Sequence, residues 1–344
     1  MQNERFDYLV YIGRFQPFHR GHDAMLRQAL ARAERVVLVL GSAKSARSVK
    51  NPFTPDERRA MVRAAMPDVA NRVLFVEMRD YFNGARWAAA VRRAVAAAAP
   101  AGRIGLFGHF KDASSGYLRD FPDWPLVEVG NVDGINAADL RKAWFEANGA
   151  TAALQDRLAP GVVALLEQFT QGAEFARLKA EFDYLADYRV QWSRAPYPPI
   201  FNTVDAVVTC CEHVLLVQRG GQPAVGCWAL PGGFLDQHER VAEASIRELM
   251  EETCVAVDEA TLRASLQASA LFDHPDRSQR GRTLTHAFHY QLGLEALPAI
   301  TAADDAAAAR WVPIAQLAAL ENQMMDDHFI ILDRFLRLLD DTNP

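Results

Sequence analysis

The sequence predicts an α/β protein of two domains. Residues 1–185 read as a parallel sheet with helices on both faces, residues 186–200 as a proline-rich connector, and residues 201–344 as an α+β unit. Three observations carry this. A chain of 344 residues exceeds one ordinary core and suits two domains of typical size. Through the first half, short apolar runs alternate with amphipathic helical stretches, the pattern of strand–helix–strand crossovers. Beyond the connector, strand-like runs follow one another closely.

The first-half strands are expected at Tyr8 to Ile12, Val36 to Leu40, Val73 to Val76, Ile104 to Phe107 and Leu126 to Val129, with helices at Ala24 to Ala33 and Trp87 to Ala98. Right-handed crossovers then place the strand C-termini along one edge, where ligands bind. The alanine-rich piece Ala88 to Ala99 contains Val91, Arg92, Arg93 and Val95, which suits an ordinary helix. A second helical stretch is expected from about Thr151 to Tyr188. In Ala195-Pro196-Tyr197-Pro198-Pro199, prolines stiffen a connector and cannot continue a helix. Thr203 to Thr209 and Val214 to Gln218 read as a hairpin turning at Glu212-His213. A helix over Val241 to Thr253 and a last amphipathic helix near Phe329 to Leu339 complete the second unit.

Half the residues are apolar and 23% are charged, a soluble globular profile. The net charge of -6 comes with no lysine–arginine tract, so a nucleic-acid partner has no electrostatic footprint. Small anionic substrates stay open, because a few local cations bind phosphate inside an acidic protein. No apolar run approaches the ~20 residues that span a bilayer, and Met1 to Tyr11 reads as polar residues leading into a strand, not as a signal peptide. Cys210, Cys211, Cys227 and Cys254 form no CxxC pair, so buried free thiols are expected in preference to a zinc site or disulfides. That suits a reducing cytoplasm. A homo-oligomer is left open.

Between the first strand and the first helix stands Gly13-Arg14-Phe15-Gln16-Pro17-Phe18-His19-Arg20-Gly21-His22. Glycines at 13 and 21 let backbone approach a phosphate, and His19 and His22, three apart at the helix start, face one ligand. The helix N-terminus adds partial positive charge. Such a site stabilises a phosphoryl transition state by charge and position, without a protein nucleophile. This stretch resembles the signature of the HxGH nucleotidyltransferases, and its GRFQPFH form resembles their nicotinamide mononucleotide (NMN) adenylyltransferases. Further segments are similar to those enzymes: Arg47 with Asn51-Pro52-Phe53-Thr54 and Glu57-Arg58; Asp80-Tyr81-Phe82-Asn83 with Trp87, a region associated in that family with the nicotinamide end; and Lys111-Asp112 with Ser114-Ser115-Gly116-Tyr117-Leu118. The Asn51 and Ser114 regions argue against the superfamily members that act on pantetheine phosphate or glycerol phosphate. The family's ISSTxIR-type motif stands here as Ile135-Asn136-Ala137-Ala138-Asp139-Leu140-Arg141, without its hydroxyls but with the arginine. The resemblance implies a Rossmann-like domain that joins ATP and NMN into NAD with Mg²⁺. It also implies that His19, His22 and Arg141 serve the transfer, while Gly13, Arg14, Phe15, Arg47, Asn83, Trp87 and Lys111 bind substrate.

The second motif is Gly233, Glu239 six residues on, and then Arg247-Glu248-Leu249-Met250-Glu251-Glu252-Thr253-Cys254-Val255. Glu248, Glu251 and Glu252 lie at i, i+3 and i+4, so a helix sets three carboxylates on one side. They repel unless a cation sits among them, and hard oxygen ligands suit Mg²⁺ or Mn²⁺. This run resembles the Nudix box at every position except Cys254, where that family has a helix-closing glycine. A left-handed backbone is therefore expected at Cys254. The resemblance implies an α/β/α sandwich, metal held at Gly233, Glu248, Glu251 and Glu252, a catalytic Glu248, and orienting roles for Glu239 and Arg247. The general base is left open among Glu248, Asp304 and Asp305. Phe272-Asp273-His274-Pro275-Asp276-Arg277-Ser278-Gln279-Arg280-Gly281-Arg282-Thr283 resembles loops of Nudix proteins directed at ADP-ribose, which implies substrate contacts from Arg277, Arg280 and Arg282.

Taken in order, the two resemblances are similar to the bifunctional NMN adenylyltransferase/Nudix hydrolases, with ATP, NMN, NAD and ADP-ribose as partners and neither nucleic acid nor membrane. The competing expectation makes the second domain a sensor that binds ADP-ribose or NAD without cutting it. Its intact carboxylates, and the lack of room for a DNA-binding domain, oppose that.

Overall fold

The computed structural model describes residues 5–109, 113–129 and 134–339. Two compact units divide the chain between Ala180 and Glu181.

The first unit runs β1 (Phe6–Gly13), α1 (Arg20–Arg32), β2 (Ala33–Leu40), α2 (Pro55–Ala65), β3 (Val73–Glu77), α3 (Gly84–Ala98), β4 (Ile104–Gly108), β5 (Leu126–Glu128), α4 (Ala137–Glu146) and α5 (Pro160–Thr170), followed by α6 (Ala173–Trp192). Its five strands pair in parallel in the order β3-β2-β1-β4-β5. The order reverses between β1 and β4, which opens a crevice at their C-terminal ends. Val36 to Leu40 are wholly buried, as befits a strand covered on both faces. On one face Val10, Ile12, Val37, Val39 and Leu106 pack with Val91 and Val95 of α3.

Two differences from the sequence reading have local causes. Helix α2 carries no continuous apolar stripe, because Arg58 takes a buried place beside Met61 and Val62. Its signal was the start instead: Thr54 accepts the Glu57 N–H at 3.3 Å, Glu57 accepts the Thr54 N–H at 2.8 Å, and Pro55 fills the first turn. The stretch expected from Thr151 to Tyr188 holds two helices, α5 and α6, broken at Gln171 and Gly172. Helix α6 continues to Trp192, so residues 186–192 of the expected connector are helical.

The second unit contains β6 (Ile200–Cys210), β7 (His213–Arg219), β8 (Trp228–Ala229), β9 (Gly232–Phe234), α7 (Val241–Thr253), α8 (Glu259–Ala264), β10 (Leu266–Phe272), β11 (Arg282–Gln291), β12 (Ala306–Pro313), α9 (Leu317–Leu320) and α10 (His328–Leu336). Its mixed sheet has the order β10-β11-β6-β7-β12, with β9 on β6 and β8 on β7. Val204, Ala206 and Val208 face α7, whereas Val207 and Ala287 face Phe329, Ile331 and Leu332 of α10, so the sheet lies between helical layers. The β6–β7 turn is Cys211-Glu212, one residue earlier than expected, and both residues take positive φ, 46° and 58°. All four cysteines are free thiols, but only Cys210 is buried; Cys211 and Cys254 are exposed, which corrects the expectation of buried thiols. No helix among the described residues is long and apolar enough to cross a membrane.

Candidate functional sites

The first site lies at the crevice between β1 and β4. After β1 the chain turns at Phe15, which takes φ 53° and lays its ring back over Gly13. A Cβ at Gly13 would stand 2.9 Å from that ring. The glycine therefore serves Phe15 first, a nearer cause than the expected approach of backbone to phosphate. Helix α1 then starts with a reciprocal cap between two histidines. Nδ1 of His19 accepts the N–H of His22, and Nδ1 of His22 accepts the N–H of His19, both at 3.3 Å. Their rings stack 3.5 Å apart. With Nδ1 accepting, each neutral imidazole carries its proton on Nε2 and is a donor there.

Arg141 projects from α4 into the same place and donates from Nη1 to the carbonyl of Gln16, 125 residues away in sequence. The Gln16 side chain in turn clasps the backbone N–H and C=O of Phe53, each at 2.9 Å. Burial, with the charge of Arg14 nearby, pushes Arg141 down to about 10. Arg58 is fully buried and bonds the carbonyls of Arg14 and Gly41, tying the ends of β1 and β2 together. The result is a cavity of about 230 Å³ lined by Arg14, Phe15, His19, His22, Arg141 and the start of α4 at Ile135 to Ala138. The start of α4 is the stretch that departs from the family motif. Here Asn136 caps the helix by accepting the Ala138 N–H at 2.9 Å.

Tyr11, Gln16, Met25 and His109 also line this cavity, and the sequence reading did not single them out. For His109 the signal was its place just past the end of β4, beside the crevice.

Other expected site residues fall elsewhere. Arg47 pairs with both carboxylate oxygens of Glu57 (2.6 and 2.9 Å) and lies over the Phe169 ring. It lines a separate cavity of about 380 Å³ with Phe53, Met61 and Leu165. Asn83 caps α3 by accepting the Arg86 N–H at 3.0 Å. Trp87 packs edge-on against Tyr117 and Phe121 in the core. Neither lines the 230 Å³ cavity. Lys111 lies outside the described residues.

The second site is centred on α7. Gly233 is required because a Cβ there would stand 2.6 Å from the Glu248 carboxylate. Glu252, buried, accepts the Gly232 N–H at 3.0 Å. Burial, with Asp305 and Glu248 beside it, pushes Glu252 up to about 9. Burial likewise raises Glu248, against the pull of Arg247. Arg247 grips Glu239 with two bonds (2.9 and 2.6 Å), reaches Glu251 at 2.8 Å and Glu248 at 2.9 Å, and donates to the Phe234 carbonyl.

This changes the expectation that the carboxylates need a metal to offset their repulsion, because a guanidinium already stands between Glu248 and Glu251. Among the described residues no three acidic, histidine or cysteine groups converge as metal ligands. Glu248 shares Arg247 with Glu251, whereas Glu252 is the one of the three carboxylates that no guanidinium reaches among the described residues. Asp305 adjoins Glu252.

Of the loop arginines, Arg277 is buried in a two-bonded pair with Asp327 (3.0 and 2.8 Å), and Arg282 donates to the Asp273 carbonyl. Both geometries differ from the expected substrate contacts, since each guanidinium already has protein acceptors. Cys254 ends α7 with φ 41° and ψ 38°, left-handed as expected.

Comparison with known proteins agrees with this division. Residues 10–90 match the cytidylyltransferase-like family model and residues 200–335 the NUDIX domain model. The nicotinamide/nicotinic acid mononucleotide adenylyltransferase of Acinetobacter baylyi is 36% identical over 182 residues, which cover 52% of this chain and 94% of that protein. A bifunctional NMN adenylyltransferase/ADP ribose pyrophosphatase from Francisella tularensis superposes with a TM-score of 0.90 at 34% identity, over 96% of this chain and 99% of that one. Its complex with AMP and a manganese ion gives 0.89 at 33% identity over the same shares. With a nucleotidyltransferase unit followed by a Nudix unit, and with relatives that match it nearly end to end, this chain belongs to the family of bifunctional NMN adenylyltransferase/Nudix hydrolases.

Proposed function

We propose that the first unit transfers AMP from ATP to NMN, yielding NAD and pyrophosphate, and that the second hydrolyses ADP-ribose to AMP and ribose 5-phosphate, both in the cytoplasm. The observation that carries the first half is the convergence of His19, His22, Arg14 and Arg141 on one cavity at the β1–β4 crevice. An NMN phosphate oxygen attacks the α-phosphorus of ATP, and the bond from that phosphorus to the β-phosphate bridging oxygen breaks. Negative charge grows on the transferred group and on the leaving pyrophosphate. Nε2–H of His19 and His22 and the two guanidiniums meet that charge as donors fixed before the reaction. Arg141 is stripped of water, so its attraction for phosphate is little screened. Mg²⁺, when bound, neutralises phosphate charge at such a site.

In the second unit Glu248 and Glu252 would hold Mg²⁺ or Mn²⁺, with Gly233 leaving the space that the Glu248 carboxylate occupies. Their fit to a hard cation rests on the burial that raises both carboxyls, with Asp305 and Glu248 adding repulsion at Glu252, and Glu251 and Glu239 at Glu248. Such an ion supplies a water of lowered pKa and a bridge to pyrophosphate. Glu239 and Arg247 orient the helix and its loop, and Glu251 is placed on Arg247.

Chromatography of the purified chain with NMN plus ATP, and separately with ADP-ribose, each with Mg²⁺, tests both halves. NAD in the first reaction and AMP in the second are expected. No NAD would overturn the first assignment, and ADP-ribose binding without turnover would assign the second unit to sensing.

A further inference from the structure

We propose that Arg280, backed by the ring of Phe234, is the cation that recognises a phosphate of the ligand at the Nudix site. The inference rests on the reading of that site as one for a nucleoside diphosphate derivative, and it separates three arginines that sequence alone treats alike. Arg277 is spent on Asp327 and Arg282 on the Asp273 carbonyl. The Arg280 guanidinium makes no hydrogen bond and no ion pair to any described residue, and its Nε is buried without a partner. Only its backbone N–H is bonded, to Ser278 Oγ at 3.4 Å. Its Cζ stands 4.9 Å from the centroid of the Phe234 ring. Phe234 is 40% exposed, and Phe201 supports it edge-on at 5.9 Å.

A planar cation laid on an aromatic face is held in orientation while its N–H edge remains for a ligand. Burial and the neighbouring charge of Arg219 disfavour the charged guanidinium, and Asp326 attracts it from beyond ion-pair distance. An unpaired, partly dehydrated cation of this kind gains from an incoming anion.

Its position fits the reading. Phe234 follows Gly233, which abuts Glu248, and the Phe234 carbonyl is bonded by Arg247. Successive strand residues face opposite ways, so Phe234 turns its ring, with Arg280 over it, away from the face on which Gly233 meets Glu248. A ligand with one phosphate at Glu248 and Glu252 can set its other phosphate on Arg280. That phosphate belongs to the AMP half or to the ribose 5-phosphate half of the substrate.

Full-length Arg280→Ala is compared with wild type for ADP-ribose kinetics and for calorimetric binding of ADP-ribose, AMP and ribose 5-phosphate, each with Mg²⁺. KM for ADP-ribose should rise about 30-fold with kcat within about threefold, as for a lost charged hydrogen bond. Affinity should fall for whichever monophosphate carries the recognised phosphate, which names the half. Arg280→Lys should recover only part, because an ammonium neither stacks flat nor forks. Phe234→Ala, which leaves the cation in place, should raise KM about fivefold and keeps the idea testable if Arg280→Ala melts early. Wild-type KM and wild-type affinity for all three ligands in Arg280→Ala would overturn the proposal. If the wild type binds ADP-ribose but does not cleave it, the calorimetric losses still decide on Arg280, while the hydrolase assignment alone fails.

Discussion

His19 and His22 each use Nδ1 to close the first turn of α1, so either side chain is at once a helix cap and a donor to the cavity. Two consequences can be separated by experiment. His22→Ala, and to a similar degree His19→Ala, should lower NAD synthesis by about 100-fold or more, the loss expected when a preorganised donor disappears. ADP-ribose hydrolysis should stay unchanged. His19→Asn keeps a short acceptor suited to a helix start, so it should restore most of the roughly 1 kcal/mol of lost cap without restoring synthesis. Near-normal synthesis in both alanine variants would refute the assignment. At Cys254 the backbone is left-handed, a conformation that costs a residue with Cβ about 1–2 kcal/mol. Cys254→Gly relieves this, offset by roughly 0.4–1 kcal/mol of added unfolded-state entropy. Thermal unfolding of the full chain should therefore show an unchanged or slightly higher Tm. A clear drop would mean that the thiol contributes packing which outweighs the strain.

At the scale of one element, α7 concentrates charge that its surroundings resist. Glu252 sits at about 9 in the folded chain, against an ordinary value of 4.5. Between those values the unfolded chain has lost this proton and the folded chain keeps it, so stability falls as pH rises through the window. Asp205 and Asp326 act with the same sign but are pushed up only to about 6, so their share is largely lost by pH 7. In EDTA, Tm should decline from pH 7 to 9, and Glu252→Gln should flatten the decline. Adding Mg²⁺ should stabilise wild type more at pH 9 than at pH 7, since the cation favours the ionised pair. Glu252→Gln should also cut hydrolysis on the order of 100-fold or more with synthesis unaffected. Normal hydrolysis by this variant at limiting Mg²⁺ would rule out Glu252 as a ligand.

For the whole molecule, the described residues of each candidate site come from one unit, so damage to one reaction should leave the other intact. Fusion of the Nudix unit to a unit proposed to make NAD, with the unpaired Arg280 beside Phe234, predicts a preference for ADP-ribose. In a panel of kcat/KM values it should exceed NADH, diadenosine polyphosphates and nucleoside triphosphates. Preference for any of those would redirect the substrate assignment while leaving pyrophosphatase chemistry in place.

Much of this protein was legible from local pattern. The five parallel strands, the limits of α7 at Val241 and Thr253 and the place of Gly13 to His22 at the β1–α1 junction are set by short-range periodicity and spacing, while the left-handed turn at Cys254 followed from the resemblance to a box with glycine there. Tertiary structure decided what no spacing encodes. It placed Arg141 on the Gln16 carbonyl 125 residues away, Arg277 on Asp327 50 residues away, and His109 at the crevice where the strand order reverses. It also put Arg247 between carboxylates that sequence alone would hand to a metal, and left Arg280 as the unpaired arginine of its loop. The physical reason is the range of the forces involved. A strand or helix is selected by side chains within a turn or two of one another, whereas a long, flexible guanidinium takes its partner from whichever remote backbone or carboxylate the packed elements bring within about 3 Å.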